Sequence, residues 1–324
     1  MLEQEVNHRT TIRNNSNWRQ VLSFLVRLLI SGGALIFLAF YIDWSEFTNY
    51  VARAHFGYML SAFLAVHLCI WISGYKWYIL CRQEDNVRFF QCLRWYYIGF
   101  FFNNFLPGSL GGDGARMYYA GKKIGGARAV ASVVTERVFA GIALFLVMMV
   151  GLLSANRSGS FLFEMVMVFA MCVIAYNLLF NYRFTLLMKK RFGEKTAKFY
   201  DTIHSYKKLR LFLELLCFSI VFQVCFVWVT DLLYRSMGVS IPFITQLGFV
   251  SLISALTMIP VSINGLGIRE GSYAYLFMLI GVEQSVSVAV SLLFFVIVLA
   301  ATSIGGVFYL LERGERGSAE KTAP

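Results

Sequence analysis

Two short stretches of the chain combine proline, glycine and arginine in a pattern that could bind an anion. The first motif runs from Pro107 to Arg116 (PGSLGGDGAR), and the second motif runs from Pro260 to Arg269 (PVSINGLGIR). Both fit the frame P-x-S-[LI]-x-G-x-G-x-R, and they start 153 residues apart. Glycine lets a backbone approach a ligand closely, and arginine can hold a phosphate with two parallel hydrogen bonds. The repeat therefore predicts one anion-binding element in each half of the chain.

The residues in and around the two motifs suit a zwitterionic or anionic lipid head group. Arg116 and Arg269 are the expected phosphate ligands, while Asp113 either orients Arg116 or binds an amine. The candidate binding residues of the first half are Asn104, Pro107, Gly108, Ser109, Gly111, Gly112, Asp113, Arg116, Tyr119, Glu136 and Arg137. The candidate binding residues of the second half are Ser262, Asn264, Gly265, Gly267, Arg269, Glu270 and Tyr273.

Glu136 and Arg137 are unusual because they lie near the start of a long apolar run. Charged residues at such a position usually face the interior of a helix bundle. Adjacent helical residues point about 100° apart, so the two need not pair with each other. They have either a functional role or a structural one, as part of a buried ion pair with Asp113 or Arg116.

The composition is that of an integral membrane protein. Of the 324 residues, 58% are hydrophobic, and the mean hydropathy is +0.63. The formal charge of +11 would suggest nucleic acid binding in a soluble protein, but membrane proteins collect lysine and arginine in their cytoplasmic loops. The six cysteines have no C-x-x-C spacing. We therefore expect no metal, no cofactor and no nucleic acid partner.

The elements that must position the motifs are apolar helices. A membrane helix needs roughly 20 apolar residues. Six segments are long enough: Val21–Ile42, Gly57–Leu80, Ala129–Leu153, Phe161–Asn181, Leu211–Leu233 and Ser285–Leu311. Trp95–Leu106, before the first motif, is too short to cross. The second motif is flanked by Ser240–Pro260 and Arg269–Val282, which form either a re-entrant hairpin or two crossing segments.

The predicted fold is an all-α polytopic membrane protein with about six full transmembrane helices and two re-entrant or broken-helix hairpins. The two halves, 21–153 and 161–311, form an inverted repeat in which the two motifs meet near the midplane. Residues 1–20 and 312–324 are tails. The loop Tyr182–Arg210 holds nine basic residues, which predicts that this loop and both termini are cytoplasmic.

Several other polar residues lie within the predicted spans. His67 is expected to be a hydrogen-bonded core histidine rather than a proton relay. Gln223 is expected to join two helices. Asp231 is expected to lie near a helix end, within reach of water. Lys76 and Trp77 belong to a run of aromatic residues that resembles an interfacial belt.

The runs NNFLPGSLGGDGARMYY, TERVFAG and IPVSINGLGIREGSYAYLF resemble the membrane region of lysylphosphatidylglycerol synthase/flippases and the stand-alone flippase-like proteins built from that region. The resemblance extends from about Arg19 to Leu311. It implies a bacterial or archaeal inner-membrane protein that moves lipids between leaflets. The lipids implied are anionic phospholipids or polyprenyl-phosphate or hopanoid-type lipids. The aminoacyltransferase domain of the two-domain relatives is not expected here, so lysine transfer is not expected either.

The leading hypothesis is a lipid translocase rather than an enzyme, and it could assemble as a homo-oligomer. No ATP-binding motif is present in the sequence. Two alternatives stay open. One is a membrane-embedded head-group transferase with Asp113 or Glu270 as acid or base. The other is a non-transporting accessory protein of an envelope lipid or polysaccharide assembly system.

Overall fold

The computed structural model of the chain describes residues 44–82, 87–105, 110–154, 166, 169–170, 194–206, 208–258 and 265–321. The predicted first span, Val21–Ile42, lies outside these residues, as does nearly all of the fourth, Phe161–Asn181. The first residues of the two motifs, 107–109 and 260–264, also lie outside. Within the described residues the regular secondary structure is α-helical.

Eleven helices have bounds within the described ranges. They are α1 (Trp44–Arg53), α2 (Phe56–Cys81), α3 (Phe89–Phe105), α4 (Leu110–Ile124), α5 (Gly126–Ser154), α6 (Glu194–Ser205), α7 (Leu209–Ser236), α8 (Phe243–Met258), α9 (Ile268–Met278), α10 (Gln284–Thr302) and α11 (Ile304–Lys321).

Four of the described segments are long and apolar enough to cross a membrane. They are Phe56–Cys81, Gly126–Ser154, Leu209–Ser236 and Gln284–Glu312, the last of which joins α10 to the first part of α11. Each agrees within three residues at both ends with a span expected from the sequence. The chain is therefore an all-α polytopic membrane protein, and the total of six spans stays a prediction.

The helices around the motifs are shorter than a span. α3 and α4 have 17 and 15 residues, and α8 and α9 have 16 and 11 residues. A crossing helix needs roughly 20 residues, so these lengths agree with two broken elements. The inverted, re-entrant arrangement itself stays a prediction.

One boundary from the sequence was wrong. The short segment before the first motif was expected to begin at Trp95, after a charged loop. Helix α3 instead begins at Phe89, and the amides of Gln91 and Cys92 both donate to the carbonyl of Arg88. Arginine and glutamine are good helix formers, so their charge or polarity marks the membrane surface and not the end of the helix.

Glycine allows close backbone contact where the helices cross. A Cβ atom on Gly112 of α4 would collide with the carbonyl oxygen of Gly99 on α3. A Cβ atom on Gly151 of α5 would collide with the backbone of Gly248 on α8. Small residues are typical of helix contacts in membranes, where close packing replaces the hydrophobic effect as the driving force.

Polar side chains also join the helices. The amide of Gln223 on α7 donates to Ser251 Oγ on α8 at 3.0 Å, which agrees with its predicted role between helices. The sequence prediction for Asp231 was wrong, because this residue is buried at 4% exposure and is not open to water. It accepts hydrogen bonds from Arg235 Nε and Gln246 Nε2, both at 2.7 Å. These two donors satisfy the carboxylate in place of the water that we expected near a helix end.

Candidate functional site

Five charged side chains from three helices form a connected chain, here called the charge cluster. Lys76 Nζ of α2 lies 3.6 Å from Glu136 Oε1 of α5. Arg116 Nη1 of α4 donates to Glu136 Oε2 at 2.7 Å, and Arg116 Nη2 also pairs with Asp113 of the same helix. Arg137 of α5 completes the cluster by donating to both carboxylate oxygens of Asp113, at 2.9 and 2.8 Å.

Charges alternate along this cluster, and both of its ends are cations. Lys76, Arg116 and Arg137 are positive, whereas Glu136 and Asp113 are negative, so the formal sum is one positive charge. Lys76 and Arg116 are 2% and 3% exposed, while the Arg137 side chain is 41% exposed. Buried charges are costly unless they are paired, and here every charge has an opposite neighbour.

Helix geometry explains which charges meet. Asp113 and Arg116 are three residues apart and share a face of α4. Glu136 and Arg137 are adjacent on α5 and point in different directions, so each of them pairs with a residue of α4. The structure therefore contains both of the ion pairs that the sequence offered as the structural alternative for these two residues.

Aromatic rings enclose the middle of the charge cluster. Tyr96 of α3 donates its hydroxyl to Glu136 Oε1 at 2.8 Å. The guanidinium of Arg116 lies 4.3 Å from the centre of the Tyr96 ring and 5.3 Å from that of Trp77. Such cation–π contacts are strongest where water is excluded. Arg116 thus contacts two acids and two rings, which identifies it as the internal link of the cluster.

A cavity of about 240 Å³, here called the central cavity, adjoins the charge cluster. All five charged residues line it, together with Asn103 of α3. Ser254, Thr257 and Met258, at the C-terminal end of α8, also line it. The central cavity therefore lies between α3 and α4, which flank the start of the first motif, and α8, which leads into the second motif.

Asn103 joins α3 to α4 beside the central cavity. Its side-chain oxygen accepts a hydrogen bond of 2.7 Å from the amide of Gly112, in the first turn of α4. A Cβ atom on Gly112 would lie 2.6 Å from Asn103 Cγ, so a larger residue would push α3 and α4 apart. This contact holds Asp113 and Arg116 at the edge of the cavity.

The second motif forms its own, smaller polar group. Glu270 is 1% exposed, and its carboxylate accepts from the amide of Gly267 at 2.6 Å and from Arg269 Nη2 at 2.7 Å. Arg269 Nε also donates to Ser291 Oγ of α10 at 3.1 Å. Arg269 and Glu270 are not among the described residues that line the central cavity. Their predicted role in head-group binding stays a prediction.

The other candidates from the sequence lie in different places. Asn104 donates to Thr302 Oγ1 at 2.8 Å and so contacts α10. Tyr119 is buried, and Tyr273 is buried with its hydroxyl 3.2 Å from Thr230 Oγ1. Gly111 lies in the first turn of α4, and Gly265 precedes α9 with a φ of +75°. Pro107, Gly108, Ser109, Ser262 and Asn264 lie outside the described residues.

Sequence reasoning missed three residues of the site, which are Lys76, Tyr96 and Trp77. Lys76 and Trp77 were assigned to an interfacial belt, but they are 2% and 0% exposed. The available signal was the lysine itself, since it lies in a span that otherwise carries no Asp, Glu or Arg. A cation in such a span usually faces a charged partner, and Glu136 is that partner here.

Comparison with known proteins agrees with this architecture. A family model described as "Lysylphosphatidylglycerol synthase TM region" matches residues 24–306. The chain is also similar to a UPF0104 membrane protein of Pyrococcus horikoshii, with 23% identity in an alignment of 323 positions that covers 88% of this chain and 96% of that protein. No solved structure matches the chain. Since the family match covers most of the sequence, the chain belongs to the lysylphosphatidylglycerol synthase transmembrane-region family.

Proposed function

We propose that this protein is a lipid translocase that binds the phosphate of a lipid head group in the central cavity. The observation that carries the proposal is the charge cluster, which brings one surplus positive charge to a cavity among membrane-crossing helices. A charge of that kind is costly in a membrane protein and usually marks an ion or substrate path. A phosphate is an anion that would neutralise it.

The two ends of the charge cluster are the expected phosphate ligands. A guanidinium has five N–H donors, and Arg137 uses two of them on Asp113. Lys76 carries three donors, and its nearest acidic oxygen lies 3.6 Å away. Both residues line the central cavity. Arg116 instead holds the two acids, Glu136 and Asp113, in place. In this proposal the two ends of the cluster bind the phosphate, and Arg116 in the middle positions them.

The remaining walls suit a lipid. Phe100, Phe222 and Phe226 line the same cavity as the charged residues. A head group can therefore bind at the polar side while its chains stay in apolar surroundings. With no ATP-binding motif in the sequence, movement would be downhill or coupled to an ion gradient. The inner membrane and cytoplasmic termini are parts of the same proposal.

A leaflet-accessibility assay in proteoliposomes tests this proposal. The purified chain is reconstituted with labelled phosphatidylglycerol, a labelled polyprenyl phosphate or a labelled neutral diacylglycerol, and protein-free vesicles serve as the blank. We expect a phosphate-bearing lipid to change leaflets faster than in the blank, with the neutral lipid unaffected. Recovery of a chemically altered lipid would favour a transferase instead. Failure of every phosphate-bearing lipid to move would overturn the proposal.

A further inference from the structure

A second cavity, here called the lateral groove, lies on another face of α3. Tyr96 lines the central cavity, whereas the next residue, Tyr97, lines the lateral groove. The groove has a volume of about 610 Å³, in the range of small-molecule sites. Side chains from α2, α3 and α11 form its walls, including Leu64, Leu68, Trp71, Phe90 and Phe308.

The walls of the lateral groove are apolar and open. Leu64 and Phe90 are 58% and 67% exposed, and Leu68 and Trp71 are nearly half exposed. Because α2 is long and apolar enough to cross a membrane, we expect its exposed Leu64, Leu68 and Trp71 to face hydrocarbon. An open apolar groove in that position is shaped to hold a hydrocarbon chain.

Arg94 gives the lateral groove a charge. It lines the groove, and no hydrogen bond or ion pair joins it to the residues that the structure describes. It lies five residues after the start of α3 at Phe89, or about 7.5 Å along the helix axis. An arginine at this shallow depth reaches the level of the lipid phosphates.

A hydrogen-bonded polar pair lies next to Arg94 in the lateral groove. His67 Nδ1 and the hydroxyl of Tyr97 are 2.8 Å apart, and both residues line the groove. Tyr97 lies three residues beyond Arg94, which is about 4.5 Å deeper along α3. The pair retains hydrogen-bonding capacity, because the imidazole of His67 has a second ring nitrogen.

We propose that the lateral groove is a binding site for an anionic glycerophospholipid, separate from the central cavity. Arg94 binds the phosphate, the His67–Tyr97 pair contacts a glycerol ester, and one acyl chain lies against Leu64 and Leu68. Helices α2 and α3 run antiparallel, because His67 contacts Tyr97 and Gly74 contacts Leu93. Leu64 therefore lies beyond the His67–Tyr97 pair on the side away from Arg94, so phosphate, ester and hydrocarbon follow one another as in a glycerophospholipid. This inference does not depend on the proposed translocation.

Photolabelling of the full chain in vesicles tests the lateral groove. Phosphatidylglycerol and phosphatidylcholine with the same diazirine acyl chain are compared at equal mole fraction, and labelled peptides are mapped by mass spectrometry. We expect phosphatidylglycerol to label the α2, α3 and α11 peptides preferentially. Arg94→Gln should lower that labelling about fivefold, the effect of one cation at an anionic lipid surface. Arg88→Gln is the matched control, since Arg88 is exposed just before α3 and does not line the groove.

A second pair of variants tests the hydrocarbon part. Leu68→Trp fills the groove and should also reduce labelling, whereas Leu213→Trp, at an exposed position on α7, should not. The cavity variant Arg137→Gln should leave groove labelling unchanged, so this test can succeed or fail independently of translocation. Equal labelling by the two lipids would show that the groove contacts bulk lipid without preference, which would overturn the proposal. Absence of label in the groove would also overturn it and indicate another occupant, such as segment 21–42 of the chain.

Discussion

Arg116 donates a hydrogen bond of 2.7 Å to Glu136, and both side chains are at most 4% exposed. The two residues lie on consecutive helices, α4 and α5, and they join the first motif to a membrane-crossing segment. The arginine of the first motif is thus neutralised within the protein. The surplus positive charge of the cluster is carried by its ends, Lys76 and Arg137, where the central cavity begins.

Glu136→Gln should destabilise the fold. Glu136 neutralises Arg116 and Lys76, so its removal leaves two buried cations facing a neutral group. Loss of one partner of a buried ion pair costs about 3–5 kcal/mol. The measurement is thermal unfolding of the purified protein in detergent. Glu214→Gln is the control, because Glu214 pairs with the exposed Arg210 and should shift Tm only slightly. Equal shifts for the two variants would contradict the account.

Gly112→Ala should separate α3 from α4. Its new methyl group would meet the Gly99 carbonyl and the Asn103 side chain, whereas nothing lies within 4 Å of a Cβ atom on Gly114. Gly114→Ala is therefore expected to be neutral or to stabilise by about 0.5–1 kcal/mol through helix propensity. Thermal unfolding and lipid movement are measured for both variants. Unchanged behaviour of Gly112→Ala would show that the hairpin does not need this close contact.

Gly267→Ala should weaken the start of α9. Gly267 has a φ of +83°, a conformation that costs a non-glycine residue roughly 1–2 kcal/mol. Its amide also donates to Glu270, so distortion there would disturb the polar group of the second motif. Gly271→Ala lies in the same helix with free space around it and is the control. If the Tm of Gly267→Ala is no lower than that of Gly271→Ala, the positive φ at position 267 does not require glycine.

Lys76→Met should separate stability from binding. Methionine has a similar length and no charge, and Glu136 would keep Arg116 and Tyr96 as partners. We expect little change in Tm, since the variant also removes the cost of burying an ammonium group. Lipid movement should fall, because the cavity loses its surplus charge. A variant that moves lipid at the native rate would exclude Lys76 as a phosphate ligand.

The long spans could be predicted from sequence because each one is set by local composition. Gly57–Leu80 and Leu211–Leu233 are long runs of mostly apolar residues, and their observed bounds differ by at most three residues. The start of α3 was missed for a physical reason. Arg94 and Gln91 signal proximity to water, but a helix can continue through the membrane surface, so polarity alone does not mark its end.

The charge cluster was partly predictable. Glu136 and Arg137 stood out as charges in an apolar run, and Asp113 and Arg116 were named as their possible partners. The sequence could not show that Arg116 binds two acids at once, since that depends on how α4 packs against α5. Lys76 was misassigned because aromatic neighbours on a helix suggest an interface, whichever way the lysine points. Both the two partners of Arg116 and the burial of Lys76 depend on how distant parts of the chain pack together, which the sequence does not show.

The most direct test of the account is lipid movement in the Arg137→Gln variant. Proteoliposomes with the phosphate-bearing lipid that the native protein moves fastest are compared for native protein, Arg137→Gln, Arg137→Lys and Arg235→Gln. Arg235 is a matched control, because it is also a half-exposed arginine paired with a buried aspartate but does not line the central cavity. We predict at least a tenfold loss of rate in Arg137→Gln, about 1.4 kcal/mol, partial retention in Arg137→Lys and the native rate in Arg235→Gln. A native rate in Arg137→Gln would contradict the claim that the ends of the charge cluster bind the lipid phosphate.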